Sequence, residues 1–156
     1  VTALRERLAG LRHDDRGQVA GIEVLPFGFL IFVVGVLLLA NAWAVVDAKL
    51  AVTAAAREAA RTYVEAPDES TAATSSHAAA LDALTGQRGG ETLDLRISVD
   101  GGFRRCALVT AQVRVDVPAV GLPFIGGFGR TFEVAATHSE IVDPYRSGLP
   151  GEADCG

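Results

Sequence analysis

Two cysteines, Cys106 and Cys155, are the residues of this chain best suited to covalent chemistry. In an oxidising compartment they can close a disulfide, in a reducing one they remain small thiols, and a bridge to another chain is the third outcome. A disulfide between them would close a loop of about 49 residues, worth roughly 4 kcal/mol in the chain-entropy estimate less any strain. His138, Glu140 and Asp143 are the next candidates, because H-x-E presents both side chains on one face of a strand. Zinc asks for more nitrogen or sulfur ligands than this, and His77 and His13 lie far off in the sequence. His138 therefore reads as a solvated or core-edge histidine beside an acid, and no metal is expected. The chain has no G-x-S-x-G elbow for a serine nucleophile, and Gly89-Gly90 and Gly126-Gly127 lack the lysine and helix start of a phosphate-cradling loop. The expectation is a protein without cofactor, small-molecule substrate or enzymatic activity. A net charge of −5 with scattered basic residues argues against a nucleic-acid partner.

The elements that must position these residues begin with an apolar run. Residues 24–46 carry no charge and are fenced by Glu23 and Asp47. At ~1.5 Å per helical residue they extend roughly 34 Å, slightly more than the ~30 Å hydrocarbon core of a bilayer. This predicts a transmembrane helix over 24–46 after a short cytoplasmic segment, residues 1–23. Arg5, Arg7, Arg12 and Arg16 precede the run, while Lys49, Arg57 and Arg61 follow it. The slight basic excess before it places the N-terminus in the cytoplasm and the C-terminal domain outside the cell membrane.

The helical pattern continues past Asp47. Residues 47–65 hold no glycine or proline, are rich in alanine, and repeat Lys49, Thr53, Arg57, Arg61 and Glu65 every four residues as one polar ribbon. One helix of about 42 residues, roughly 63 Å long, is the simplest reading, ended by Pro67. Pro26 in its first turn costs little. Ser70 or Asp68 can cap a second helix running to about Leu84, with Gly86 just past its end. Its apolar content is Ala78, Ala79, Ala80, Leu81, Ala83 and Leu84.

After GQRGG the period changes to two. Leu93, Leu95, Ile97 and Val99 alternate with polar residues, Asp100-Gly101-Gly102 signals a hairpin, and Val109, Ala111, Val113, Val115 and Val117 mark one face of the next strand. Cys106 falls on that strand's polar side. A glycine- and proline-rich stretch, PAVGLPFIGGFG (118–129), precedes a third strand with Phe132, Val134 and Ala136 on one face. The fold class is α+β: a transmembrane helix continuing into a small extracytoplasmic domain, residues 47–143, with a second helix and a three-stranded antiparallel sheet, then a tail, 144–156. Following the strand directions puts 118–129 near the membrane and both cysteines at the far end. Leu122, Phe124, Ile125 and Phe128 form either a partner or membrane contact or an end-cap of the core.

Arg16-Gly17 shortly before Glu23 and the apolar helix, the AAREAAR run at 55–61 and the VDPYRSGL ending at 142–149 together make the chain resemble the TadE/TadG-like, pseudopilin-like proteins of bacterial tight-adherence pilus assembly. The resemblance covers most of the chain. It implies a pilin-like fold, a structural role as a minor membrane-anchored component, and contacts with other pilus-assembly subunits or an inner-membrane platform. It also implies that Glu23 pairs with a neighbouring subunit's amine, the alternative being an interfacial carboxylate that marks the start of the span. Prepilin-type cleavage places four residues between glycine and glutamate; here Gly17 and Glu23 have QVAGI between them, a departure from the pattern. Two rivals stand beside this reading. Ala40-Asn41-Ala42 and Ala42-Trp43-Ala44 fit signal-peptidase sites, so the domain could be secreted after cleavage at Ala42 or Ala44. A membrane-tethered hydrolase is the other.

Overall fold

The computed structural model describes residues 24–120 and 131–155. A single helix, α1 (Val24–Glu65), runs through 42 residues without interruption. Alanine and leucine hold it together, and it stops where Pro67 removes an amide donor. Helix α2 is Glu69–Ala83. Three strands follow, β1 (Asp94–Val99), β2 (Leu108–Pro118) and β3 (Thr131–Ile141), in the sheet order β1-β2-β3. Both pairings are antiparallel, with Leu95 opposite Val113 and Val113 opposite Ala136. The architecture is α+β.

By internal contacts the chain forms two units, Val1–Ala40 and Asn41–Gly156. The described part of the first is the opening stretch of α1, where Leu25, Phe29, Ile31 and Leu39 are all largely exposed. The most apolar stretch of α1 has a mean hydropathy of 2.6 and none of it is buried. Among the described residues α1 is the one helix long and apolar enough to cross a membrane, a property that signal sequences share.

The second unit is a sheet packed on helix. Ala48, Val52, Ala55, Ala56, Ala59 and Ala60 of α1 are buried against Ala111, Val113, Val115 and Val117 of β2 and Val134 of β3. Steps of three and four along α1 and of two along β2 generate these faces. Alanine on the helix lets the sheet approach closely, so the core stays thin. On α2 the buried face is Ala72, Ser76 and Ala80, with Leu84 just beyond; Leu81 and Ala78 of the alanine run face outward. Ser76 is fully buried because its hydroxyl donates to the carbonyl of Ala73 within its own helix (3.1 Å), satisfying the one polar atom it brings inside. Phe132 differs from the alternation reading. It remains 42% exposed at the end of the sheet where only β2 and β3 pair.

Asp68 is the residue that caps α2. In extended backbone it accepts from the amide of Thr71 (2.9 Å), from the Ser70 hydroxyl (2.6 Å) and from the Thr71 hydroxyl (2.9 Å). These donors, the Ser70 hydroxyl foremost, hold its carboxyl down to about 2 from an ordinary 3.8. Because the folded value is the lower one, the cap's contribution is complete above 3.8 and is lost as pH falls through 2. Urea midpoints measured at pH 5 and again below pH 3 should therefore drop further for the native chain than for Asp68→Asn. Parallel pH profiles would refute this assignment.

Candidate functional site

The chemistry-bearing residues collect at the C-terminal end of α1. Cys106 and Cys155 are joined in a disulfide with Cα atoms 5.1 Å apart. Cys106 lies just before β2 begins, in the β1–β2 connection, and not within the strand. It takes a left-handed backbone conformation (φ 62°), unusual for a residue with a Cβ. Its amide donates to the carbonyl of Val142 (3.0 Å), and the Val142 amide returns a bond to Ala107 (3.0 Å). The hairpin signal at Asp100-Gly101-Gly102 thus opens a connection longer than a tight turn, with Gly101 and Gly102 both at positive φ.

The last carbonyls of α1 have no intrahelical donors. Arg146 supplies them. Its guanidinium donates to the carbonyls of Val64 and, at 2.6 Å, Glu65. A planar cation with a fork of donors suits this place, where the helix dipole is negative. The segment carrying Arg146 is held in turn: Arg105 Nε donates to the Arg146 carbonyl (2.8 Å), and the Arg105 amide donates to Pro150 (2.9 Å). Asp143 shapes the approach by accepting from the Tyr145 amide (2.8 Å), so its carboxylate is engaged in a turn. Beneath lies a small second core of Tyr63, Val64, Ala66, Ala72, Ala107, Val109 and Val142, with Leu149 and Phe103 against it. The Tyr63 and Phe103 rings meet edge to face at 5.7 Å. Burial, with a smaller contribution from Glu69, pushes the Tyr63 hydroxyl's pKa upward.

A second cluster sits at the start of the unit. The side-chain amide of Asn41 both donates to the carbonyl of Val120 (3.2 Å) and accepts from the Val120 amide (2.8 Å). One side chain thereby satisfies both backbone groups of a residue 79 positions away. Lys49, on the polar ribbon of α1 and exposed, donates its ammonium to the Ala135 carbonyl of β3, which has no strand on its far side among the described residues. His138 Nε2 and Glu140 Oε1 lie 3.5 Å apart, with both side chains about one-third exposed. No group of three or more histidine, cysteine or acidic side chains suited to a metal occurs among the described residues.

Gly17 and Glu23, and the loop residues Leu122, Phe124, Ile125 and Phe128, lie outside the described residues. Sequence reasoning passed over Arg146 and Asn41. Arg146 stands in the quoted VDPYRSGL ending with no distinguishing neighbour, whereas Asn41 carried a readable signal as the one amide in an uncharged run. Comparison of the chain with protein families, with curated proteins and with solved structures yields no match.

Proposed function

We propose that this chain is a single-pass, membrane-anchored structural component, minor-pilin-like, of a tight-adherence pilus assembly or secretion system. Its N-terminus is cytoplasmic and its α+β unit extracytoplasmic. The observation that carries the anchored part of the reading is the continuity of α1, which has a bare apolar opening stretch and a closing stretch clad by sheet. A helix hydrophobic all round in its first part suits lipid or neighbouring helices. The Asn41–Val120 clasp also supports an uncut chain, because cleavage at Ala42 would remove Asn41 and leave both backbone groups of Val120 without it.

In this role the protein works by association and performs no catalysis. Its first stretch packs sideways against other subunits or an inner-membrane platform, and its outer unit fixes register. The tight-adherence assignment rests on the sequence resemblance. Deleting the reading frame in its source cell should abolish assembled filaments. The intact chain should restore them, and an exported version starting at Trp43 should not. Normal filaments in the deletion strain would overturn the assignment.

The secreted alternative is favoured by one observation, that the compact second unit begins at Asn41, beside the small-residue cleavage motifs. Intact-mass measurement of the protein recovered from membranes and from culture fluid separates the two. We expect the membrane fraction to hold a chain still containing residues 24–42. A soluble species beginning at Trp43 or Val45 would replace the anchored reading with the secreted one.

A further inference from the structure

We propose that Trp43, Val46 and Leu50, on the side of α1 turned away from the sheet, lie in the interfacial layer of a lipid bilayer. One flank of the outer unit would then rest among the headgroups. The inference rests on the anchored reading above and adds to it a specific contact surface.

These three side chains are 71%, 53% and 67% exposed. Steps of three and four residues align them on one stripe of the helix. Ala48, which is buried under the sheet, stands two residues, roughly 200°, from both Val46 and Leu50. In this part of α1 the helix therefore has two apolar sides, one covered by its own sheet and one bare.

The residues on either side of the stripe identify what covers it. Toward the N-terminus the same steps lead through Leu39, Val36 and Phe32, all exposed, and the chain carries no charge back to Val24. Toward the C-terminus the same steps lead from Leu50 to Arg57 and Arg61, with Glu58 and Glu65 alongside, all exposed. Along the stripe itself the change from apolar to charged falls between Leu50 and Arg57, while Asp47, four residues from Trp43, already flanks it. Tryptophan is the side chain that a membrane interface selects, because its ring is apolar and its N–H stays near water. Asp47, exposed beside Val46, sets the depth: a carboxylate is costly in hydrocarbon and tolerable among headgroups. A protein partner is the poorer fit, since three side chains fall well short of the roughly 800 Å² per side that a stable interface buries.

On the sheet-covered side, polar bonding already begins at Asn41, through Val120. On the bare side the first charge is Asp47 at the flank of the stripe, and the stripe itself stays apolar through Leu50. A helix leaning toward its bare side presents both levels to one membrane surface, and membrane helices commonly tilt by about 20°.

The test uses the chain's single tryptophan, Trp43. The full chain is reconstituted into phosphatidylcholine–phosphatidylglycerol vesicles, some carrying nitroxide lipids labelled at the headgroup or shallow acyl position and some at mid-acyl depth. We expect blue-shifted emission and several-fold weaker quenching by acrylamide than for free tryptophan amide. Shallow nitroxides should quench more strongly than deep ones. A Trp43→Phe chain that also carries Leu50→Trp should respond in the same order. Acrylamide quenching equal to that of an exposed indole, in protein that still floats with the vesicles and resists carbonate, would overturn this inference and leave the anchor intact. Blue-shifted emission untouched by any nitroxide lipid would overturn it in favour of a protein cover, and stronger quenching from mid-acyl depth would overturn the interfacial placement. Release of the chain by carbonate would instead bring down the anchored reading itself.

Discussion

Replacing Cys106 and Cys155 together by serine is expected to lower the unfolding free energy of the second unit by about 4 kcal/mol, the chain-entropy value for a loop this long. The bridge spans 49 residues and encloses β2, β3 and the whole path to the tail. Without it, the segment after Ile141 is held by Arg146, Arg105 and the contacts of Val142 and Leu149. The effect should be large because the core is thin. Alanines supply most of the helical side of the interface, and each buries little apolar surface compared with a leucine.

Urea unfolding of the full chain in detergent micelles, followed by the near-ultraviolet signal of Tyr63 and Phe103, measures the effect. The midpoint should fall in the serine variant and, equally, in native protein treated with a dithiol reductant. Midpoints that coincide with the oxidised chain would show that hydrogen bonds alone hold the tail. Because removing the bridge frees the denatured chain as well, the dependence of unfolding free energy on urea should steepen.

Much of this architecture was legible from side-chain periodicity, and what stayed hidden has a common physical origin. The alternation at 109–117 predicts β2 because one face of that strand is buried on α1 and the other is not. The alanine-rich, glycine-free stretch 47–65 predicts the continuation of α1 for a similar reason. Bonds from a side chain to distant backbone leave no such period. Arg146 reaches carbonyls more than 80 positions earlier, and Asn41 reaches a residue 79 positions later. Ser76 is not among the apolar residues that the sequence offers for α2, yet a small side chain that bonds to its own helix is admitted to a close interface. Cys106 looked like a strand residue because alternation cannot reveal a positive φ in a residue other than glycine. The cysteines were readable as candidates, but their pairing depends on the tail returning to the β1–β2 connection, a long-range approach that leaves no local pattern in the sequence.

Arg146→Ala is expected to cost about 2 kcal/mol, within the range for hydrogen bonds made by a charged group. The loss has two parts. The carbonyls of Val64 and Glu65 lose their donors at the half-buried end of α1, and the favourable placement of a cation at the helix's negative end disappears. Arg146→Lys separates these parts, because an ammonium keeps the charge but cannot reproduce a planar fork reaching two successive carbonyls. It should recover part of the loss and not all of it. Amide hydrogen exchange locates the effect: residues 61–65 of α1 and the β1–β2 connection around Arg105 should exchange faster in the alanine variant, while the centre of β2 keeps its protection relative to them. Combining Arg146→Ala with the double serine change should then cost less than the sum of the separate effects, since a tail freed of the bridge holds its guanidinium on the helix end less firmly. Strict additivity would mean that the cap and the disulfide act independently, and would refute the view that the tail is one strap fastened at two points.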